Sequence, residues 1–210
     1  MKRLIIYGFF FACIVGFLMN NKPEPEEQIV VTNTTMSSIS AQNCHFCIDP
    51  RKKIIPRGSR DVLVANVGDS KAFICSGKLA KELTEDHNAD RLDERARVEA
   101  SGGKFTFYTN YVPLLNGHFP MTRAIGDVTS KSVGIIATPE VTDWLNLTSK
   151  DEFLVVASDG IFESLSTKKV CEFLYEAEDH SDLTALSQQI VQKAFLEGST
   201  ENLSVVLVPL

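Results

Sequence analysis

One acidic residue follows an apolar run in a position where it could bind a metal ion. Asp159 follows the run FLVVA, residues 153–157, with one serine between them, and a carboxylate at the end of a buried strand is held rigidly at the rim of the core. Gly160 follows, and a residue without a β-carbon lets backbone, water or metal approach closely. Hard cations such as Mg²⁺ and Mn²⁺ take carboxylate oxygens together with several waters. Asp159 is therefore a candidate metal ligand, with a simple turn or helix cap as the alternative.

Two further acids stand at the ends of apolar runs. Glu201 precedes the last apolar run of the chain, as Asp159 follows an earlier one. If these two strands are neighbours, their carboxylates could share a metal; otherwise Glu201 is a solvated loop acid. Asp69 lies in the short turn between the apolar runs 61–67 and 71–75. Aspartate is common in turns for local reasons, so a plain turn is the alternative at this position.

The other polar candidates favour structural roles, and no catalytic residue is identifiable among them. His87, in LTEDHNAD, could act as a base, but the surrounding residues are typical of a loop packed before a helix. Arg123 and Asp127 are four residues apart and are expected to pair with each other. No cysteine is followed six positions later by arginine, and no GxxxxGK phosphate loop is present. The chain thus lacks the sequence signs of cysteine-dependent phosphate chemistry and of a nucleotide-binding loop.

The elements that would position these residues mix strands and helices without a βαβ alternation. The runs 61–67 and 71–75 predict a hairpin closed by a turn at residues 68–70. Apolar runs predict further strands at residues 133–137, 153–157 and 203–208. Helical spacing predicts a helix over 88–101, a second helix with Thr167 as its N-cap, and a third from Leu183 that ends at Gly198. Early hairpin strands and a late helical pair are typical of an α+β fold with an antiparallel sheet.

Composition limits the classes of function. The chain has 210 residues, 44% hydrophobic, and a formal net charge of -6, which suits one globular domain and gives no reason to expect nucleic-acid binding. Cys75 and Cys171 lie in apolar patterns and are expected to be small buried hydrophobes, although disulfides are possible in principle. Cys44 and Cys47 have the spacing of half a zinc site, with no second pair to complete it.

The N-terminal sixty residues differ from the rest. Residues 1–20 predict a hydrophobic signal or signal-anchor segment, because Lys2 and Arg3 precede a charge-free run over 4–19. Residues 21–60 are expected to be a disordered linker. We expect a membrane-associated or secreted protein whose body lies across the membrane from the cytoplasm; a cytosolic protein, with the apolar run as a buried helix, is the alternative.

Taken in order, the short motifs resemble those of the protein phosphatase 2C family, the metal-dependent protein serine/threonine phosphatases. The matching segments are ANVGDSKA, LTEDH, DERARVEASGG, TRAIGD, FLVVASDGIFESLS and GSTENLSVVLV. They cover residues 61–210 and represent the C-terminal portion of the family's catalytic domain. The resemblance implies a sandwich of two antiparallel β-sheets flanked by α-helices.

The resemblance also implies a binuclear Mg²⁺ or Mn²⁺ site and phosphoserine or phosphothreonine proteins as substrates. Asp159 matches a ligand of the metal pair, Glu201 stands at the position of the family's last metal-binding aspartate, and Asp69 matches an acid near a weaker, additional metal. The metals of the family activate a water that attacks phosphorus directly, so no nucleophilic side chain is needed.

The chain departs from the family pattern in one major respect. It contains no Asp-Gly-His sequence, the family motif that supplies a bridging aspartate and the histidine general acid. Residues 61–210 are therefore expected to form an incomplete domain that lacks early strands of both sheets. Alternatives to an active phosphatase are an inactive relative that acts as a binding module and a non-functional partial product.

Overall fold

A computed structural model gives the backbone of the strands at residues 2–7, 14–19 and 30–32, and describes residues 61–109 and 112–210 in full. The described strands are β1 (Lys2–Tyr7), β2 (Ile14–Met19), β3 (Val30–Thr32), β4 (Asp61–Val62), β5 (Ala65–Asn66), β6 (Lys71–Ser76), β7 (Leu79–Glu82), β8 (Phe105–Thr106), β9 (Leu114–Leu115), β10 (Glu140–Val141), β11 (Leu145–Asn146), β12 (Phe153–Ala157) and β13 (Val205–Pro209). The described helices are α1 (Leu92–Ala100), α2 (Val128–Lys131), α3 (Asp159–Phe162), α4 (Thr167–Glu176) and α5 (Leu183–Leu196).

A five-stranded antiparallel sheet forms the centre of the domain, in the order β3-β13-β12-β6-β7. Strand β12 lies in the middle and is buried at all five positions. Its residues pair with β13 on one side and β6 on the other, so that Ala157 stands opposite both Val205 and Lys71. A strand buried on both faces reads as a continuous apolar run, which explains the sequence FLVVA.

Helices α4 and α5 cover one face of this sheet. Their apolar residues pack with α3 against side chains that alternate along the strands, including Phe73, Val155 and Leu207. Helix α4 begins one residue earlier than its sequence suggests, because Ser166 rather than Thr167 is the N-cap and accepts a hydrogen bond from the Lys169 N–H at 3.2 Å. An N-cap acceptor satisfies one of the unpaired N–H groups of the first turn.

A disulfide joins the helical layer to the sheet. Cys75 on β6 and Cys171 on α4 are bonded to each other, with their Cα atoms 5.3 Å apart and both residues buried. The expectation that these cysteines act as simple buried hydrophobes is therefore wrong, although their burial is confirmed. Each lies in an apolar pattern because it faces the same core, and that shared location is what lets the two sulfurs meet.

The opposite face of the sheet is covered by short strand pairs. Strand β4 pairs with β11 and β5 pairs with β10, both antiparallel. Val62, Val64 and Leu147 pack from this layer against Ile74 and Val156 of the central sheet. The α+β fold with two antiparallel layers and flanking helices is thus confirmed.

Two expectations from the sequence are wrong. The runs around residues 68–70 do not form a hairpin, since β5 pairs with β10 whereas β6 pairs with β7 and β12. The turn instead carries the chain from one layer of the sandwich to the other. Residues 133–137 form no strand beyond a single bridge between Ile136 and Arg123; the segment is a loop whose Ile135 packs with Val98 and Leu115 in a small separate core.

Strands also occur in the N-terminal segments. β1 and β2 pair antiparallel within the segment 1–20 that is predicted to be a leader, and β3 lies inside the predicted linker and pairs with β13. The remainder of residues 21–60 and the Cys44–Cys47 pair lie outside the described residues. None of the helices in the described part of the chain is both long and apolar enough to cross a membrane, and the leader and linker roles stay predictions.

Candidate metal-binding edge

The strand register brings the three predicted acids to one edge of the central sheet. Lys71, Ala157 and Val205 stand opposite one another on three adjacent antiparallel strands. Asp69 lies two residues before Lys71, Asp159 lies two residues after Ala157, and Glu201 precedes β13. Antiparallel pairing therefore carries all three to the same side, which we call the acid edge (Asp69, Asp159 and Glu201).

Gly160 allows the two sides of the acid edge to touch. A β-carbon at this position would lie 2.7 Å from the carbonyl oxygen of Asn202 and 3.1 Å from the Cβ of Glu201. Backbone bonds hold the same contact, since the Ser158 N–H donates to Ser204 O at 3.0 Å and the Ser158 hydroxyl donates to Asn202 O at 3.0 Å. The glycine after Asp159 is required by close packing between the two strand ends.

Asp159 and Glu201 form a carboxyl pair. Their carboxyls lie close enough for the charge of Asp159 to act on Glu201, although Glu201 as a residue is exposed. Desolvation of its carboxyl, the negative charge of Asp159 and that of Glu163 raise the pKa of Glu201 to about 7. Two carboxyls this close resist ionising together, so the pair holds a proton more readily than either acid would alone.

Asp69 carries an unsatisfied oxygen. Its Oδ1 is buried and has no hydrogen-bond partner among the described residues. Burial raises the pKa of Asp69 to about 7, and the charges of Asp159, Asp86 and Glu201 add to that rise. A buried acceptor without a donor costs free energy, and a cation beside it would remove both the unpaired oxygen and the repulsion.

Two acids that the sequence did not single out support this edge. Glu163 accepts hydrogen bonds from the Ser199 hydroxyl at 2.7 Å and the Thr200 N–H at 2.9 Å, which anchors the loop that carries Glu201. Asp86 pairs with Lys71 at 2.7 Å beside Asp69. Glu163 lies one helical turn after Asp159, and that spacing was the signal that could have revealed its location.

The donor set suits a single hard cation better than a complete pair. Mg²⁺ commonly binds through one or two carboxylates and keeps several waters, and the adjacent carboxyls of Asp159 and Glu201, with the unpaired oxygen of Asp69 nearby, match that chemistry. Within residues 61–109 and 112–210, however, no group of three or more His, Cys, Asp or Glu side chains is arranged to hold a metal ion together.

The remaining polar candidates are structural. Arg123 does not pair with Asp127; its guanidinium donates to Glu94 at 2.7 and 3.0 Å and to Thr138 O at 3.1 Å. Glu94 is buried and also accepts from Arg97 at 2.7 Å. Although burial raises the pKa of Glu94, hydrogen bonds from these guanidiniums hold it well below its usual range. His87 is fully buried, as expected for a packed loop residue.

Comparison with solved structures finds the same fold in other proteins. It superposes on a phosphatase from a pathogenic strain of Toxoplasma gondii with a TM-score of 0.64 and 28% identity, covering 74% of this chain and 50% of that one. It also superposes on a C. elegans sex determining protein with a TM-score of 0.64 and 27% identity, over 71% of this chain and 36% of that one.

Sequence comparison identifies the family. The model of the protein phosphatase 2C family matches residues 44–203, so the chain belongs to that family, and the match begins seventeen residues before the motif-based start at residue 61. A probable protein phosphatase 2C 51 of Arabidopsis thaliana is 37% identical, covering 71% of this chain and 38% of its own length.

The mitochondrial protein phosphatase 1K of Xenopus laevis is 33% identical over 73% of this chain and 40% of its own length. The chain therefore spans about two fifths of these two relatives.

Proposed function

We propose that this chain acts in the removal of phosphate from phosphoserine and phosphothreonine in proteins, using Mg²⁺ or Mn²⁺ at the acid edge. The observation that carries the proposal is the carboxyl pair of Asp159 and Glu201 on two adjacent strand ends. Desolvation of the Glu201 carboxyl and the nearby charge of Asp159 raise the pKa of Glu201, which is the electrostatic condition that a divalent cation relieves.

The chain's own residues would do two things in this function. Asp159 and Glu201 would hold the cation, and Asp69 would add negative charge and an oxygen beside it. When bound, such a cation supplies an activated water and neutralises charge on the phosphoryl oxygens. Glu163 contributes indirectly, because its bonds to Ser199 and Thr200 fix the loop from which Glu201 projects.

A second candidate function is non-catalytic binding of phosphoproteins or of partners of full-length phosphatases. It is favoured by Glu201, which stands where the family has an aspartate and whose carboxyl is close enough to Asp159 to be affected by its charge. An additional methylene displaces the carboxylate, and Mg²⁺ tolerates such displacement poorly. A membrane tether through residues 4–19 would apply equally to either candidate.

The experiment measures metal binding and phosphate release on the full chain. Mn²⁺ is titrated calorimetrically into the wild-type protein, Asp159→Asn and the control Asp143→Asn, an exposed acid away from the edge. Binding of a phosphothreonine peptide and release of phosphate from it are followed in parallel. We expect wild type and Asp143→Asn to bind Mn²⁺ and release phosphate, and Asp159→Asn to lose both.

The outcomes separate the two candidates. Mn²⁺ uptake and peptide binding without phosphate release would support the non-catalytic function and overturn the catalytic one. No Mn²⁺ uptake by the folded wild-type chain would overturn the proposed metal site itself.

A further inference from the structure

His87 is a buried titratable residue that the proposed chemistry does not use. It is 0% exposed, and its ring lies between the turn before β6 and strand β10. Nδ1 lies 3.1 Å from the Gly68 nitrogen, whose N–H points at it. On the other side of the ring, Nε2 lies 3.2 Å from Oε2 of Glu140, without an aligned hydrogen bond.

The surroundings select one protonation state for the ring. Burial and the charge of Arg123 lower the pKa of His87, so the ring is neutral and carries a single proton. The negative charge of Glu140, 3.2 Å from Nε2, favours the proton on that nitrogen. Nδ1 is then free to accept from the Gly68 N–H.

The Gly68 carbonyl is the competing partner of Nδ1, and it already accepts from other donors. Gly68 O already accepts from the His87 backbone N–H at 3.0 Å and from the Asn66 amide at 3.2 Å. Nδ1 also lies 2.9 Å from that carbonyl, but an oxygen with two donors gains little from a third. The Gly68 N–H, in contrast, has Nδ1 as its acceptor.

The contact between His87 and Gly68 fixes the turn that presents Asp69. Gly68 has φ of 116°, a conformation that favours glycine, and Asp69 is the next residue. The backbone of His87 is itself held, since its carbonyl accepts from the Thr122 N–H at 2.7 Å. Glu140 is held by Arg91 at 2.6 Å. The ring thus lies between two groups that are themselves held, the Gly68 turn and the Glu140 carboxylate.

We propose that His87 is a positioning residue that holds Asp69 at the acid edge through the Gly68 N–H, and thereby sets the affinity of the edge for a divalent cation. The inference rests on the proposed function, because it assigns the metal site to this edge. His87 acts through Gly68 and touches neither the cation nor the substrate. Groups that orient the acids around a metal are commonly worth tenfold or more in metal affinity.

Two substitutions at the same position separate the two sides of the ring. His87→Asn places its side-chain oxygen near the position of Nδ1 and keeps an acceptor for the Gly68 N–H. His87→Gln places its amide near Nε2 and keeps the contact with Glu140 instead. Mn²⁺ alone is titrated calorimetrically into the full chain of each variant. The control is His118→Gln, which changes an exposed histidine.

We expect His87→Gln to bind Mn²⁺ about 10- to 100-fold more weakly than wild type, while His87→Asn and His118→Gln stay close to wild type. Equal affinity of wild type and a folded His87→Gln would overturn the inference, as would an equal loss in folded His87→Asn and His87→Gln. No uptake by wild type would overturn the proposed function and the metal part of this inference together.

A measurement on the wild-type chain tests the role of His87 even if the substitutions at this buried position prevent folding. The nitrogen-15 shifts of the His87 ring report which nitrogen carries the proton. The Nε2–H tautomer is expected, together with slow exchange of the Gly68 amide proton. An Nδ1–H tautomer would overturn the inference, because Nδ1 could then not accept from Gly68.

Discussion

A β-carbon built on Gly160 would lie 3.1 Å from the Cβ of Glu201. The residue after one acid is therefore in contact with the other acid, across the junction of β12 and β13. The space beside Gly160 has no room for an additional methyl group. The geometry of the acid edge therefore depends on a glycine at residue 160.

Gly160→Ala is expected to lower the free energy of unfolding by about 1–3 kcal/mol, the usual cost of overpacking. The added methyl must push back the Asn202 carbonyl, 2.7 Å away, and Glu201 would move with it. Thermal unfolding and Mn²⁺ titration measure the two effects. Gly102→Ala is the control, because a β-carbon there meets nothing within 4 Å, and only its backbone conformation is strained. Unchanged Mn²⁺ affinity in Gly160→Ala would contradict the expectation that displacement of Glu201 weakens metal binding.

Asp69→Asn is expected to stabilise the metal-free protein at neutral and alkaline pH. The folded-state pKa of Asp69 is raised to about 7 from 3.8, so the folded state holds its proton more tightly than the unfolded state. Asp69 therefore costs no stability below about pH 4, and its penalty grows as the pH rises to about 7.

The amide variant carries no such penalty. The difference between Asp69→Asn and wild type should be near zero at pH 4 and on the order of 2–4 kcal/mol at pH 8, since one unit of pKa corresponds to about 1.36 kcal/mol. Urea unfolding at the two pH values measures it, with Asp143→Asn as control. If the difference in the free energy of unfolding between Asp69→Asn and wild type does not change with pH, ionisation of Asp69 does not destabilise the folded state.

Reduction of the bond between Cys75 and Cys171 is expected to destabilise the domain. The bond closes a loop across a sequence separation of 96, and a loop of about 100 residues corresponds to about 4–5 kcal/mol in the chain-entropy estimate. Thermal unfolding with and without dithiothreitol should show a lower midpoint under reduction. The double variant Cys75→Ala and Cys171→Ala should be insensitive to reductant. Free thiols at both positions in the oxidised, folded protein would refute the bond.

Glu94→Gln is expected to cost about 3–5 kcal/mol, the usual cost of removing one partner of a buried ion pair. The substitution leaves Arg97 and Arg123 without their shared countercharge in a site where Glu94 is 2% exposed. Urea unfolding measures the loss, and Glu99→Gln on the exposed side of the same helix is the control. A loss no larger than that of the control would mean that the guanidiniums find other partners.

Local patterns were sufficient to predict the elements nearest the acid edge. The run at β12 and the helical spacing of α4 and α5 reflect burial against one core, which is visible in a single segment. The positions of Asp159 and Glu201 at strand ends follow from the same runs. The two acids lie close together only because β12 and β13 are neighbouring strands. Pairing between segments this distant in the chain cannot be predicted from a local pattern.

Long-range partners account for what the sequence could not show. Arg123 was expected to bind an acid four residues away, but the buried Glu94, 29 residues earlier, is the stronger site because it accepts from two guanidiniums. The expected hairpin at residues 68–70 failed for a similar reason. Both flanking runs are buried and apolar, and each pairs with strands of a different layer. The turn residues alone do not distinguish a hairpin from a turn that carries the chain between two layers.

The pairing of β3 with β13 has a practical consequence for shortened versions of the protein. A fragment that starts at residue 44, where the family match begins, lacks Val30–Thr32 and leaves the outer side of β13 with unpaired backbone groups. An open sheet margin recruits strands from other molecules. Such fragments should self-associate at concentrations where the full chain does not, and the remedy is to begin them upstream of Val30.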